Sequence, residues 1–540
     1  MKLRFAVLIT TVLLFCVEGV KSQSNIEASL PLKSTNSMFF GSDIIINNNP
    51  SESQHHVAIC TAFNGWLYAA YTYVNPLNMA AGALLKSVDN GNTWTVIFDE
   101  TYPAANSEFT SMDLIATGDS LSNLKVYLAA VVEYGTAGLG SGFVNQYNGV
   151  TGAYENNLLL SGNAYYIALA KDGTYPAYNS NPYSLGVLYS SYSNLGDSII
   201  FYSSSNGGIS LDKRQVVATT PHRFHKVTLS YGRSPSWSTG RYFAAWEGKA
   251  GFYSNTGHIY TSHSDPNFNS AFTPPVMLDT LDASAYNNSK NPAIACQFNV
   301  TDNDSTNLTE IVLFDKYLSS ENQYDIDGFY NMKSTNTNHF NQFNLNSSSD
   351  SRQQPSINFN PYDQTFMVTY YDSTTQKLPY LLHDFNMQNP NAWQVVSSGY
   401  NDSPDLTIPY PKVVLNMGQH QGANVWSGNG TGGIGVALYD APYVPTGIPG
   451  NTLTDDCKLW IYPNPCNTSL NLTFELKSAE NVTLILYNII GSPEGIIANQ
   501  TYPGGRYLLK YNVSSLPSGS YFLTYQVGNI IKTYKILKIM

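Results

Sequence analysis

Ser87-Val88-Asp89-Asn90-Gly91-Asn92-Thr93-Trp94 is the stretch that decides the fold. A short carboxylate such as Asp89 accepts bonds from the amides of its own turn, and Gly91 supplies a positive φ without steric cost. Thr93 and Trp94 return the chain to residues that prefer strands. The octapeptide therefore reads as the tip of a β-hairpin, and the hairpin type extends in both directions from it.

From about Gln54 to Tyr439, short apolar and aromatic runs alternate with Asn, Gly, Asp and Ser clusters. Such runs include Trp66–Val74, Val126–Val132, Tyr242–Trp246 and Phe366–Tyr371, and no long window shows apolar residues at helical spacing. Strand pairs open on a Pro-Xaa-apolar start: Asn291-Pro292-Ala293-Ile294, Gln354-Pro355-Ser356-Ile357 and Tyr410-Pro411-Lys412-Val413. These starts recur at about 55 to 65 residues, a period that fits four strands and suggests the blade of a propeller. One four-stranded sheet cannot bury both faces, whereas a ring of sheets can. Six blades are expected, or seven, because 101–180 divides in more than one way.

Ser87, Asp89, Gly91, Thr93 and Trp94 match every defined position of the Asp-box, so the segment resembles the BNR repeat of sialidase-like propellers. A degenerate copy is read at Ser204-Ser205-Asn206-Gly207-Gly208-Ile209-Ser210, with Asn in place of Asp. The resemblance implies a structural role for these residues and a Trp94 ring packed between blades.

The ends of the chain speak of export. Lys2 and Arg4 precede an apolar run from Phe5 to Val17, with Val20 and Ser22 placed for cleavage, so 1–22 reads as a signal peptide. That run is shorter than the roughly 20 residues a membrane span needs, and no transmembrane segment is expected after cleavage. Phe15 stands where a lipoprotein signal wants a small residue before Cys16. Residues 23–445 make the propeller, and 446–456 are a Pro/Gly/Thr linker.

Beyond it the sequence changes character. Tyr462-Pro463-Asn464-Pro465 is followed by the alternating Leu470, Leu472, Phe474 and Val482, Leu484, Leu486, then by Gly491, and by Gly519 and Tyr521 within Leu516–Leu523. These motifs, in this order over 457–540, are similar to the type A sorting domain of type IX secretion; the family usually has Asp where Asn488 stands. The resemblance implies a small Ig-like β-sandwich recognised by the outer-membrane translocon. The protein is then secreted, or anchored at the outer-membrane surface, by way of the periplasm. The whole is expected to be all-β: a six- or seven-bladed β-propeller followed by that sandwich.

Composition excludes other partners. The chain carries −11 overall; 457–540 hold seven basic against three acidic residues and 1–22 three against one, which leaves −17 on 23–456. An acidic body argues against nucleic acid as a partner. Five cysteines are too few for a disulfide scaffold. Cys60 and Cys296 read as small buried hydrophobes, and Cys457 and Cys466 are close enough to pair.

A sialidase reading fails on arginine. That chemistry grips a carboxylate with three arginines from different blades, yet after the signal no Arg precedes Arg214, and Arg214, Arg223, Arg233 and Arg241 cluster. Lysine does not supply the same bidentate fork. Another glycosidase needs two carboxylates about 5–10 Å apart, and Asp43, Asp113, Glu133, Glu247, Asp315 and Asp372 are available. Glu247, after Ala244-Ala245-Trp246, is the one catalytic candidate, against the plainer reading of an exposed loop carboxylate. His222 and His225 do not converge on a metal at strand spacing, and no cofactor is expected. Calcium has only a weak candidate at Asp302 and Asp304, which lack the spacing of an EF-hand loop.

Two classes of function follow. One is a non-catalytic module that binds a glycan or protein, and the other is a carbohydrate-active hydrolase with an unrecognised carboxylate pair. Trp66, Trp237, Trp246, Trp393 and Trp426 are each either a sugar platform or core.

Overall fold

The computed structural model describes the strands from Phe39 to Tyr443 and from Leu459 to Lys538 with the short turns joining them. Residues 1–38, 444–458 and the longer interstrand segments, among them 172–184, 233–239, 298–308, 332–339 and 398–409, lie outside the description. Every regular element among the described residues is a β-strand. None of them is a helix long and apolar enough to cross a membrane. The chain divides into two compact units, the larger within 31–444 and the smaller within 445–540.

In the larger unit the strands form antiparallel meanders of four. Gln54–Thr61, Leu67–Val74, Met79–Ser87 and Thr95–Ala105 make the first. Similar sheets begin at Phe224, Ser289 and Arg352. Between them lies one seven-stranded sheet over 107–220, because Tyr154–Lys171 runs for 18 residues and belongs to two meanders. Its pairing breaks between Leu159 and Asn163, where Gly162 has φ +84°, so its first half ends one four-stranded unit and its second half begins the next.

The last sheet takes three strands from Lys412 to Asp440 and its fourth, Ile44–Ile45, from the start of the chain. That strand joins the two ends of the unit. Among the described residues seven strands thus stand innermost, and all seven line one cavity of about 460 Å³. This is the ring of a β-propeller.

An innermost strand is an edge strand with unpaired main-chain groups, which must be satisfied. Here several are served by side chains of a neighbouring strand. Ser111 accepts from the Ile167 amide at 3.1 Å, and Asp113 from the Leu169 amide at 2.8 Å. Ser230 accepts from Cys296 at 3.2 Å and Ser356 from Val413 at 3.0 Å. Across the seam that closes the ring, Thr61 donates to the Leu415 carbonyl. Between sheets the packing is aromatic and aliphatic, and Trp246 and Trp426 are fully buried within it. Their indoles belong to the core and are not sugar platforms.

The Asp89 carboxylate accepts from the Thr93 amide at 2.9 Å and the Thr93 hydroxyl at 2.6 Å, and from Ser87 at 2.8 Å. Those bonds hold its carboxyl below the usual range against the opposing effect of burial. The hairpin also reaches the seam. Trp94 packs edge-on to Tyr439 with centroids 5.2 Å apart, and Tyr439 donates to the Asn90 carbonyl at 3.1 Å. A Cβ on Gly91, at φ +91°, would stand 2.1 Å from the Tyr439 ring. Gly91→Ala should therefore destabilise the propeller by about 2 kcal/mol through strain and a displaced ring. Chemical denaturation checks this, and an unchanged midpoint would mean that the seam does not depend on the hairpin. The degenerate copy at 204–210 falls mostly outside the described residues.

The smaller unit is a sandwich of two sheets. Leu459–Tyr462, Ser469–Leu476 and Gly505–Asn512 form one, and Pro493–Tyr502, Glu480–Tyr487, Gly519–Val527 and Ile530–Lys538 the other. The alternating Leu470, Leu472, Phe474 and Val482, Leu484, Leu486 point into a shared core. Cys466 is a free, buried thiol, and Cys457 lies outside the described residues.

Candidate binding site at one end of the central cavity

At one end of the cavity the innermost strands depart from regular pairing. Register shifts fall between Gln54 and Val57, Phe224 and Val227, Lys290 and Ala293, and Gln353 and Ser356. Asn291, Gln354 and Tyr410, each just before a proline, have φ of +53°, +57° and +41°. The Pro-Xaa-apolar starts of the sequence are these bulges. A left-handed residue before proline is unfavourable on its own, so tertiary bonds must hold it.

The carboxylates of the adjacent strands supply those bonds. Asp315 accepts from the Gln354 amide at 2.6 Å and from the Asn291 side-chain amide at 2.6 Å. Glu247 accepts from the main-chain N–H of Asn291. Gln354 repeats the device one sheet further on, accepting from the Tyr410 amide at 2.9 Å. Glu247 is only 8% exposed, so the expected exposed loop carboxylate is corrected: it is buried on a strand, behind the cavity lining.

Burial pushes the Glu247 carboxyl up, opposed by Lys249, the Asn291 amide, Lys226 and Lys290. Burial likewise raises Asp315 to about 7, opposed by the Asn291 and Gln354 donors and by Lys290 and Lys226. The pair is thus brought together around one residue, Asn291, and both members are occupied in holding backbone.

In front of them stand cations and phenols. Lys226, Lys412, Tyr166, Tyr410 and His56 line the cavity. Lys226 donates to Asn291 Oδ1 at 3.2 Å and lies 5.4 Å from the Tyr410 ring, on which His56 packs at 5.7 Å. Lys290, one residue before the bulge, sits 4.0 Å over the Tyr324 ring. Burial and then the like charge of Lys412 lower Lys226 to about 8, against the pull of Asp315 and Glu247.

Of the other acids, Asp113 lines the cavity with its carboxyl raised by burial, and Asp372 caps the turn at Thr374 and Thr375. Sequence reading passed over Lys226, Lys412, Tyr166 and Tyr410. The signal was the Pro-Xaa-apolar start itself, which marks one end of the cavity in three repeats, at Asn291, Gln354 and Tyr410. No group of three metal-type side chains is assembled among the described residues. Asp302 and Asp304 lie outside them, as do His222, Trp237 and Trp393, and the side chain of His225 is likewise not described.

The second motif, in the smaller unit, is a clamp on its last strand. Asn464 donates to the Lys535 carbonyl at 2.7 Å and accepts from the Leu537 amide at 2.8 Å. Cys466, next to Pro465, exchanges main-chain bonds of 2.8 Å with Leu537 and Ile539. Tyr462 ends the strand that leads into the clamp, and Tyr462-Pro463 and Asn464-Pro465 are cis. Gly491, at φ +79°, makes the turn closed by Asn488, and Tyr521, two residues after Gly519, donates to the Pro517 carbonyl at 2.8 Å. The Asn488 side chain accepts there from the Ser492 amide at 3.0 Å.

No curated protein matches the chain. Among solved structures it is similar to a protein of unknown function from Dyadobacter fermentans, at 11% identity over 75% of this chain and 98% of the other, with a TM-score of 0.44. An α-L-arabinofuranosidase from Fusarium graminearum is similar at 12% identity over 75% and 98%, TM-score 0.40. A Trypanosoma rangeli sialidase is similar at 9% identity over 95% and 89%, TM-score 0.39. Residues 460–539 match the family model described as the secretion system C-terminal sorting domain. The chain therefore carries, behind a β-propeller, a type IX sorting domain that marks it for export to or beyond the outer membrane.

Proposed function

We propose that the chain is a non-catalytic module that meets a glycan or protein ligand outside the cell, at the lysine- and tyrosine-lined end of its central cavity. One observation carries this. Asp113, in the lining, accepts from the Leu169 amide, while Glu247 and Asp315 sit behind the lining and accept from the amides of Asn291 and Gln354. A general acid or nucleophile must reach the bond it cleaves, and these two face the backbone. The sorting domain supplies delivery, with the translocon as its partner.

A hydrolase is the second reading, favoured by one feature: the same two buried carboxyls share Asn291 and are held towards the protonated form, as a general acid is. A glycan array and a glycosidase screen on the full chain separate the readings. Binding without turnover is the expected result. Turnover abolished by Glu247→Gln or Asp315→Asn, with folding intact, would establish the hydrolase instead.

A further inference from the structure

Three ammonium groups from three of the repeats, Lys226, Lys290 and Lys412, act on one another at one end of the cavity. Holding three cations at a partly enclosed site is unfavourable unless negative charge balances them. Asp315 and Glu247 do so in part beside Lys226, and Asp113 beside Lys412, but their oxygens also receive the Asn291, Gln354 and Leu169 donors. Lys226 and Lys412 both line the cavity there, and burial and then their like charge act against the charged form of Lys226, so an anion seated between the two would relieve both. Beside the two lysines that line the cavity stand the phenols of Tyr166 and Tyr410. A bare inorganic ion makes no use of rings, whereas a pyranose packs its apolar face on them and bonds to hydroxyls and amides. The cavity, at about 460 Å³, lies in the range of small-ligand sites.

We propose that this end of the cavity binds a carboxylated sugar, a uronate-type unit of an acidic glycan, with its carboxylate at Lys226 and Lys412 and its ring at Tyr166 and Tyr410. This rests on the binding-module reading above and adds the charge class of the ligand. The lysines act as point charges without arginine's planar fork, which suits a carboxylate that is attracted but not gripped in one orientation.

Calorimetric titration of the full chain with galacturonate and glucuronate oligomers, the same oligomers as methyl esters, and inorganic phosphate tests it. At least one acidic oligomer should bind, its ester about tenfold or more weakly, and phosphate more weakly than the oligomer. Lys412→Met and Lys226→Met should each weaken the acidic oligomer about tenfold, the equivalent of 1.4 kcal/mol, and added salt should weaken it further. Thermal unfolding of each variant confirms folding, and the part-exposed Lys412 carries the test should Lys226→Met misfold.

Failure of every acidic oligomer to bind, esters binding equally, phosphate matching the oligomers, or lysine variants binding like the parent would each overturn the inference. Neutral glycans binding in any of those cases would leave the binding-module reading standing. Cleavage of an oligomer would remove that reading separately.

Discussion

Deletion of 457–540 should leave the propeller folded and stranded in the periplasm, with surface and medium fractions falling to background. Residues 460–539 match the sorting family, and the unit they form has its own core, so its loss removes the export signal as a whole. The large unit closes on itself through the pairing of Ile44–Ile45 with Tyr439 and Leu438. That closure lies upstream of the cut, so the truncated chain should keep its cooperative unfolding. Cell fractionation and immunoblotting read the distribution, with protease shaving of whole cells as the check on exposure. Normal surface display of the truncated protein would refute the sorting assignment. A milder change reaches the same element by another route. Asn464→Ala removes both side-chain bonds that fix the final strand and should reduce display in part.

Local signals in the sequence were the readable ones. The Asp89 carboxylate finds its donors within four residues, and the strands that follow Tyr462–Pro465 alternate with a period of two, so residue type and spacing are enough to read them. The ring was harder for physical reasons. Ile44–Ile45 is two residues long and pairs with a strand almost 400 positions away, beyond what any period can show. Tyr154–Lys171 reads as one run because its division lies in a register break and a positive φ at Gly162.

The candidate site is the extreme case. Lys226, Asn291, Gln354 and Tyr410 stand 56 to 65 positions apart and become neighbours only when successive sheets are stacked. Glu247 stood out as a carboxylate after an apolar run. Its partner Asp315, and the bulge both of them hold, follow from the stacking alone. Trp246 and Trp426 show the opposite limit: a tryptophan in a strand looks the same in sequence whether it faces sugar or core, and here burial assigns both to the core.

The stability of the propeller should fall as pH rises from about 4.5 to about 7, and Glu310 should account for much of it. Its side chain is buried between sheets, where Oε1 accepts from Thr261 at 2.9 Å and Oε2 has no bonding partner among the described residues. A lone oxygen in that setting is best kept protonated, and burial raises the carboxyl from 4.5 to about 7. The sign follows from proton counting. Between those two values the folded state holds the proton that the unfolded chain has released, so each step up in pH favours unfolding. Below the lower value both states are protonated and the group contributes nothing. Above the upper one the cost is complete, on the order of 3 kcal/mol at 1.36 kcal/mol per unit.

Asp315, raised the same way, adds to the slope of the parent, so the variant-minus-parent difference is the quantity to read. Glu310→Gln keeps the shape of the neutral acid without its ionisation. Denaturation at pH 4, 6 and 8 should show the variant close to the parent at the lowest pH and more stable by about 3 kcal/mol at the highest. A difference that stays constant across the three would mean that Glu310 is ionised in the folded protein throughout. In that case a donor beyond the described residues must satisfy Oε2.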